Sequence, residues 1–280
     1  MSLFIGIVYN PSKPETSEVL NLLKFYLSKE GFEFFLLRTD FYEFSANLNY
    51  YKDIKRPDFV ISVGGDGTIL YSARLFSKYE VPIAGVDVGK LGFLMHFSKD
   101  EIEELVNYIR SASYEVEDRM MIKAQVNFSG KSSYLNNALN EIVVSRGKFH
   151  RIIDIEVFVN GEFLNKYRGD GIIVSTPTGS TAYSLSAFGP ILFPTMENII
   201  ITPICSHTLS ARSIVLPKDS LVVLRVENLP SPAVVVFDGQ EYIDLNESVE
   251  IIISKCDYYA KIVKNPKRKF FETLRTKLSW

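Results

Sequence analysis

A glycine-rich loop with a single carboxylate stands between an apolar run and a helical pattern. It reads Gly64-Gly65-Asp66-Gly67-Thr68 and follows the run Asp58–Val63. Glycines allow the backbone to approach a phosphate closely, and the free N–H groups at the start of a helix favour an anion. A carboxylate there would repel phosphate unless it had a chemical task, so Asp66 is a candidate to hold Mg²⁺ or to accept a hydroxyl proton. The alternative is a tight turn in which Asp66 caps the helix.

A second polar segment is rich in hydroxyl groups. It begins at Gly169-Asp170-Gly171, passes through an apolar run, and continues as STPTGSTAYSLSA at Ser175–Ala187. We expect Ser180 or Thr181 to cap a short helix that runs to about Ala187, with its free N–H groups facing a phosphate or a ribose. Tyr183 would then offer an aromatic face to a base. The alternative is a Ser/Thr-rich loop that only caps its own helix.

An amide and a carboxylate stand side by side at Asn140-Glu141, in the β-like run Leu139–Ser145. Together they suit the exocyclic amine and the sugar hydroxyls of a nucleotide. Such pairs are also common at strand ends, so this feature alone indicates little.

Several common nucleotide-binding motifs are absent. No G-x-G-x-x-G follows the first strand, and no G-x-x-x-x-G-K-[ST] occurs in the chain. The protein-kinase motifs are also missing. These absences argue against an ordinary Rossmann dehydrogenase, a P-loop enzyme and a protein kinase.

The composition is that of an ordinary globular protein. The 280 residues are 46% hydrophobic and 23% charged, with a formal net charge of −2. Because this charge gives no general attraction to nucleic acid or to anionic membranes, we expect neither as a partner. The two cysteines are too few for a disulfide framework, and we find no signal peptide and no spanning segment. The predicted location is the cytoplasm.

The elements that must position these motifs form two groups. Strands at Leu3–Tyr9, Phe32–Leu37, Asp58–Val63 and Pro82–Val88 alternate with helices at Glu15–Glu30 and Thr68–Tyr79. This alternation predicts a parallel sheet covered by helices, with ligands beyond the carboxyl ends of its strands. A further helix is expected at Asp100–Ser111.

From Tyr114 to Val263 the chain is mostly β-like. Asn160-Gly161 and Asp238-Gly239 are predicted as tight turns, and Val249–Ser254 and Tyr258–Val263 as two separate strands. The predicted fold is an α/β Rossmann-like domain with a parallel sheet at 1–100 and an all-β, sandwich-like domain at 101–254. A C-terminal segment, 255–280, contains a helix at Lys269–Trp280 that would pack back on the first domain.

Taken in order, the motifs resemble those of the NAD kinases over nearly the whole chain. The motifs are GGDGT, GVDVGKLGFL at Gly85–Leu94, NALNE at Asn137–Glu141, RGDG at Arg168–Gly171, TPTGSTAYSLSA at Thr176–Ala187, ICSHTLSAR at Ile204–Arg212 and FDGQ at Phe237–Gln240. The chain departs from the family pattern at Asp87, where Asn is usual, at Phe188, where Gly is frequent, and at Ser206, where Pro is usual. Asp87 adds a negative charge near the expected phosphate site.

The resemblance implies an enzyme that transfers the γ-phosphate of ATP to the 2′-hydroxyl of the adenosine ribose of NAD. It implies Asp66 as the catalytic carboxylate, a divalent metal, Mg²⁺, and a homodimer or homotetramer. No residue is assigned as a metal ligand. The residues implied to bind substrate are Gly67, Asn140, Glu141, Arg151, Arg168, Asp170, Thr181, Ala182, Tyr183, Ser186 and Gln240.

Two alternatives stay open at this point. The GGDG loop is shared with lipid kinases and has a relative in sugar kinases, so a lipid or sugar kinase is one. A dinucleotide sensor that kept the pocket but lost the chemistry is the other.

Overall fold

The computed structural model describes residues 3–39, 55–89, 92–128, 133–148, 151–208, 210–227, 229 and 232–280. Lys90, Leu91 and Leu209, which belong to the motifs above, lie outside these ranges. The chain divides into two compact units. The described part of unit 1 is 3–39, 55–89, 92–118 and 259–280, and unit 2 holds the described residues between 119 and 258.

The described residues form five α-helices and sixteen strands, which are numbered in chain order. The helices are α1 Thr16–Lys29, α2 Asp66–Phe76, α3 Ile102–Ser111, α4 Tyr183–Ser186 and α5 Phe270–Leu278. The strands are β1 Phe4–Tyr9, β2 Glu33–Arg38, β3 Phe59–Gly64, β4 Pro82–Asp87, β5 Val116–Phe128, β6 Ser133–Ala138, β7 Glu141–Arg146, β8 Ile153–Val159, β9 Glu162–Gly169, β10 Gly171–Ser175, β11 Asn198–Ile204, β12 Ile214–Pro217, β13 Val222–Val226, β14 Ala233–Phe237, β15 Glu241–Leu245 and β16 Val249–Val263.

Unit 1 is built on a parallel sheet in the order β2-β1-β3-β4, with the end of β16 parallel to β4. Ile7 and Ile61 are fully buried in one cluster with apolar residues of α1 and α3. Successive side chains of a strand point to opposite faces, so Ser62 faces the other way, and its Oγ donates to Ser72 Oγ of α2 at 2.6 Å. Helices therefore cover both faces of the sheet.

The strand order places a crevice between β1 and β3. The chain leaves β1 for α1 on one face and leaves β3 for α2 on the other. In open α/β sheets ligands bind at such a switch point, beyond the carboxyl ends of the strands. The loops that follow β1, β3 and β4 all lie at this edge, because Asn10 N donates to Val63 O at 3.0 Å and Gly64 pairs with Asp87.

Unit 2 is all-β apart from short helical turns. One antiparallel sheet has the order β12-β11-β10-β7-β14-β15, and the other antiparallel set contains β16, β13, β8 and β9. Both sheets bury apolar residues completely, as two packed layers require. Examples are Ile142, Val144, Val174 and Val235 in the first sheet, and Val157, Leu224 and Ile251 in the second.

Two predicted tight turns are confirmed. Asn160 and Gly161 have φ of 52° and 84°, and they join β8 to β9. Asp238 and Gly239 have φ of 51° and 65°, and they join β14 to β15. Asn, Asp and Gly tolerate positive φ, which suits short hairpin loops. The β8–β9 loop has two residues, and the β14–β15 loop has three, with Gln240 as the third.

The prediction of two strands near the C-terminus is wrong, since β16 is one continuous strand of 15 residues. The polar residues in its middle interrupt the apolar pattern but do not interrupt the extended backbone. Two ion pairs hold these residues: Lys255 Nζ lies 3.7 Å from Glu197 Oε1, and Lys123 Nζ lies 2.8 Å from Asp257 Oδ2. Cys256 points inward between them and is buried. The segment contains no turn-forming Gly or Pro.

From Tyr259 onwards, the C-terminal segment belongs to the compact unit that carries the parallel sheet. Asn265 Nδ2 donates to His96 O at 3.0 Å and to Glu101 Oε1 at 3.1 Å. Arg268 and Lys267 form ion pairs with Glu101. Across the described ranges, no helix combines the length and the apolar character needed to cross a membrane.

Candidate functional site

The glycine-rich loop connects β3 directly to α2. Gly65 is the N-cap residue of α2, with φ −140° and ψ −175°, and Asp66 is the first helical residue. No side chain caps this helix, so the alternative in which Asp66 acts as the cap is wrong. The first-turn N–H groups of α2 therefore donate to no capping side chain among the described residues. Gly67, the other residue predicted here, lies in the same turn and is partly buried.

The carboxylate of Asp66 holds the loop that follows β4. Its Oδ2 accepts the N–H of Phe93 at 2.9 Å, and its Oδ1 accepts the N–H of Leu94 at 3.0 Å. Gly92 makes this approach possible, because a Cβ at that position would lie 1.9 Å from Asp66 Oδ1. The motifs GGDGT and GVDVGKLGFL therefore meet at the carboxylate, which is only partly buried.

A second carboxylate, Asp87, stands at the end of β4. It is 7% exposed, and its Oδ1 accepts the N–H of Gly89 at 3.1 Å. Burial raises the pKa of Asp87, and the nearby Asp66 raises it further, whereas the N–H of Gly89 and the ammonium of Lys13 act in the opposite direction. The loop edge of unit 1 thus combines two carboxylates with at least one lysine.

In unit 2, Asp238 fixes the backbone of the Leu139–Glu141 segment. Its carboxylate accepts three consecutive peptide N–H groups: Leu139 at 2.9 Å, Asn140 at 2.7 Å and Glu141 at 3.1 Å. The N–H of Asp238 donates in return to Glu141 O at 3.0 Å. Asp238 is itself 6% exposed. Hydrogen bonds to a charged acceptor are among the stronger ones in proteins, so the position of Asn140 and Glu141 depends on this residue.

The hydroxyl-rich segment holds the same backbone from its other side. Thr176 N donates to Asn140 O at 2.9 Å, and Thr176 Oγ1 donates to Leu139 O at 2.6 Å. A Cβ on Gly179 would lie 2.2 Å from Asn140 O, so only glycine fits there. The Leu139–Glu141 segment is therefore held between the TPTGST segment and the Asp238 turn.

The predicted cap of the short helix is wrong. The residues Thr178–Thr181 form a 3-10 turn, and the N-cap of α4 is Ala182, without a side-chain hydrogen bond. The hydroxyl of Ser180 instead donates to Pro177 O at 2.6 Å and accepts the N–H of Leu192 at 3.0 Å. The hydroxyl of Thr181 donates to Thr178 O at 3.3 Å. These side chains stabilise the loop itself.

Glu141 is the most strongly perturbed carboxyl group of the site. Burial, together with the nearby charge of Asp238, raises its pKa to about 8, although the N–H of Tyr183 donates to it. Its Oε2 is buried and has no hydrogen-bond partner among the described residues. A buried acceptor without a donor is costly, and such a group in a polar site is suited to a ligand hydroxyl or amine.

Tyr183 lies beside Asp170 and Glu141. The residue is 45% exposed, and its pKa is raised by burial, by Cys205, and by the charges of Asp170 and Glu141. Asp170 forms a two-pronged ion pair with Arg146, with Nε–Oδ1 at 2.9 Å and Nη2–Oδ2 at 3.2 Å. The structure therefore brings Asn140, Glu141, Asp170, Thr181, Ala182 and Tyr183 into one region of unit 2.

The other predicted residues are placed differently. Ser186 is exposed at the end of α4. Gln240 N donates to Phe237 O at 2.9 Å, within the Asp238 turn. The side chain of Arg168 is 66% exposed, and its Nε lies 3.9 Å from Asp154 Oδ1. Arg151 is exposed. Among the described residues, no hydrogen bond or ion pair joins Arg151 or Arg168 to Glu141.

Four contributors escaped the sequence-based prediction. Asp238 lies inside the motif FDGQ and Gly92 inside GVDVGKLGFL, but motif membership does not reveal which backbone groups a residue binds. No local sequence pattern marked Arg146, the ion-pair partner of Asp170, as a site residue. Lys13 stands in the Pro- and Ser-containing loop after the first strand, which is a position where ligand-binding residues are expected.

The raised pKa of Glu141 predicts a pH-dependent stability. The unfolded group titrates near its ordinary value of 4.5 and the folded group near 8, so between these values the folded state binds the extra proton. The free energy of unfolding should then fall as the pH rises from about 5 to about 8, by an amount on the order of 4 kcal/mol. Urea unfolding of the wild type and of Glu141→Gln across this window measures the difference.

The variant Glu141→Gln should lose this component and show a flatter dependence. Glu162→Gln, in an exposed position of β9, is the matched control and should follow the wild type. Equal slopes for the wild type and Glu141→Gln would contradict the assignment of a buried, protonated Glu141.

The fold and the site on unit 1 define a nucleotide-binding protein, because a glycine loop opens a helix at the carboxyl edge of a parallel sheet. The carboxylate of Asp66 beside this loop is a group suited to phosphoryl transfer. The ATP-NAD kinase N-terminal domain model matches residues 5–114, and the ATP-NAD kinase C-terminal domain model matches residues 139–265. The chain therefore belongs to the NAD kinase family.

Individual relatives agree with the family models. The NAD kinase of Aquifex aeolicus is 38% identical over 264 residues, which cover 90% of this chain and 96% of the relative. The crystal structure of an NAD kinase from Archaeoglobus fulgidus in complex with ATP is 30% identical, has a TM-score of 0.74, and covers 98% of both chains. The crystal structure of yeast NADH kinase complexed with NADH shares the fold, with a TM-score of 0.86, 24% identity, and coverage of 100% of this chain and 88% of that one.

The predictions of the family, of the α/β and all-β fold class, and of an NAD kinase activity are confirmed by these similarities. The alternative of a lipid or sugar kinase is set aside. That alternative predicted a resemblance to the NAD kinases in the GGDG loop alone, whereas the two domain models match residues 5–114 and 139–265.

Proposed function

We propose that this chain transfers the γ-phosphate of ATP to the 2′-hydroxyl of the adenosine ribose of NAD, with Asp66 as the catalytic carboxylate. The observation that carries this proposal is the partly buried Asp66 at the start of α2, held by the N–H groups of Phe93 and Leu94. The donor is supported by the Archaeoglobus fulgidus enzyme, whose structure was determined in complex with ATP.

In the proposed step, Asp66 accepts the proton of the 2′-hydroxyl as that oxygen attacks the γ-phosphorus. The bond from the γ-phosphorus to the β–γ bridging oxygen breaks, and ADP leaves with the electron pair. Two hydrogen bonds fix the carboxylate, so its orientation is set before substrate binds. Positioning and charge relief supply most of the acceleration in phosphoryl transfer.

The acceptor is assigned to unit 2. Asn140 and Glu141 would contact the base and the ribose of NAD, and the unpartnered Glu141 Oε2 is a suitable acceptor for a hydroxyl. Tyr183 would stack on a base, with Thr181, Ala182 and Ser186 beside it. Asp170 would accept from a base or a carboxamide while Arg146 fixes its orientation. Arg151, Arg168 and Gln240 remain assigned to nucleotide binding by resemblance to the family.

Mg²⁺ is the proposed metal. It is commonly held by one or two carboxylates together with substrate phosphates, and Asp66 and Asp87 provide two carboxylates at one loop edge, close enough to influence each other. These residues fit the ion, although the described ranges contain no group of three or more His, Cys, Asp or Glu side chains that could hold a metal. When bound, Mg²⁺ would neutralise charge on the phosphoryl oxygens.

A cytoplasmic location and a homodimer or homotetramer complete the proposal. The location is supported by two free cysteines, Cys205 and Cys256, and the assembly by resemblance to the family. Sedimentation of the purified chain measures its mass directly, and a monomer at micromolar concentration would contradict the assembly.

A coupled assay tests the proposed reaction. The purified chain is incubated with NAD, ATP and Mg²⁺, and an NADP-specific dehydrogenase detects the product. We expect NADP to form with Mg²⁺ and to be lost when a chelator removes the metal. NAD binding without NADP formation from ATP or polyphosphate would contradict the proposal and favour a dinucleotide sensor. Formation of NADP with polyphosphate but not with ATP would replace ATP by polyphosphate as the assigned donor.

A further inference from the structure

The loop that follows β1 brings a lysine to the glycine-rich loop. Lys13 Nζ donates to the carbonyl oxygen of Gly64 at 3.2 Å. The loop itself is ordered by its own polar groups, because Ser12 N and Ser12 Oγ both donate to Asn10 Oδ1, at 2.9 Å and 2.7 Å. Thr16 Oγ1 donates to Asn10 O at 2.8 Å. Lys13 is therefore presented from a structured turn at the switch point of the sheet.

Glycine backbone surrounds the ammonium group. A Cβ on Gly65 would lie 3.2 Å from Lys13 Nζ, and a Cβ on Gly89 would lie 3.6 Å from it. No side chain at these two positions blocks the approach of a ligand. The ammonium has three N–H donors, and Gly64 O is the acceptor that the described residues provide for it. Lys13 is partly buried, so it retains access to solvent.

The surroundings of Lys13 are those of an anion site. The N–H groups at the start of the 11-residue helix α2 are not capped by a side chain. Thr68 Oγ1, in a residue that is 1% exposed, has no hydrogen-bond partner among the described residues and lies against the backbone of Gly64. Asp66 and Asp87 bring negative charge to the same edge, which Lys13 and Lys277 offset. Without these lysines, the two carboxylates would repel an incoming phosphate.

We propose that Lys13 binds a phosphate group of the nucleoside triphosphate donor, as part of a site formed with the Gly64–Gly65 backbone and the start of α2. This assignment rests on the proposed function, because it names the residue that receives the donor at the same loop. A lysine is suited to this position as a compact charge with three donors that can follow the phosphate oxygens.

The test compares Lys13→Met and Lys13→Arg in steady-state kinetics. Lys13→Met keeps an unbranched side chain, one atom shorter, but removes the charge and the three N–H donors, so the KM for ATP should rise roughly ten- to hundred-fold. The KM for NAD should stay within about threefold, since the acceptor is assigned to unit 2. Lys13→Arg should recover part of the loss. Lys99→Met is the matched control, because Lys99 forms an exposed ion pair with Glu18, and it should behave as the wild type.

The outcomes separate this proposal from the proposed function. Normal kinetics for Lys13→Met in an enzyme that makes NADP would overturn the role of Lys13 and leave the reaction intact. A raised KM for NAD alone would assign Lys13 to the pyrophosphate of the acceptor and would overturn the donor assignment. If the wild type makes no NADP, calorimetric binding of a non-hydrolysable ATP analogue decides: weaker binding by Lys13→Met supports the site, and equal binding refutes it.

Discussion

Replacement of Asp66 by asparagine is expected to lower the kcat for NAD phosphorylation by about three orders of magnitude, with the KM for NAD unchanged within about threefold. The amide cannot accept the proton of the attacking hydroxyl, and general-base catalysis contributes about 10²–10⁴ in rate. Loss of an interaction that acts only in the transition state lowers kcat without raising KM. The coupled NADP assay at saturating ATP measures both constants.

The structure adds a second effect to this substitution. Asparagine keeps one oxygen, so it can accept only one of the two N–H groups that Asp66 holds, those of Phe93 and Leu94. We therefore expect a modest fall in thermal stability as well. Asp100→Asn, on the short 3-10 turn before α3, is the control and should keep full activity. A folded Asp66→Asn variant with near-normal turnover would remove Asp66 from the mechanism.

Replacement of Asp238 by alanine is expected to raise the KM for NAD by roughly a hundred-fold and to leave the KM for ATP within about threefold. The substitution removes the acceptor of three consecutive N–H groups and leaves them without a partner near the site. Each buried N–H that loses its partner costs about 1–3 kcal/mol, so a drop of several kcal/mol in the free energy of unfolding should accompany the effect. Kinetics with each substrate varied and urea unfolding measure the two effects.

A milder variant distinguishes positioning from simple unfolding. Asp238→Asn keeps one oxygen acceptor in the turn and should fold, with an intermediate KM for NAD. Removal of the neighbouring charge should also lower the pKa of Glu141, because Asp238 contributes to raising it. Asp244→Ala, exposed on β15, should match the wild type. If Asp238→Asn is destabilised but its KM for NAD is unchanged, then Asp238 has only a structural role.

Local sequence patterns were sufficient for most of unit 1. The apolar runs predicted its four parallel strands to within about one residue, because buried parallel strands are nearly continuous in hydrophobic character. The helix predicted from Thr68 begins at Asp66, since the glycine loop is shorter than the pattern suggested. The turns at Asn160 and Asp238 were predictable because their chemistry is local.

The contacts that build the sites were not predictable in the same way. Asp66 binds backbone groups 27 and 28 residues away, and Asp238 binds groups 97 to 99 residues away. No periodicity in the sequence encodes such separations. The continuity of β16 was missed for a related reason, because Lys255 and Asp257 form ion pairs with residues that are distant in the sequence, Glu197 just before β11 and Lys123 on β5. Motif order indicated which segments matter, and the structure shows which atoms join them.

The Leu139–Glu141 segment and the two segments that hold it, TPTGST and the Asp238 turn, have a consequence for how such chains can diverge. The carbonyl of Asn140 occupies the space that a side chain at position 179 would need, and the N–H of the same peptide, from Glu141, donates to Asp238. A mutation in one segment therefore alters the selective value of residues in the other two. Recombination that exchanges the TPTGST segment alone between distant relatives should produce inactive chimaeras, whereas exchange of all three together should be tolerated. The unit that must be inherited together is therefore a set of contacts that spans about a hundred residues of sequence, and it is larger than any single motif.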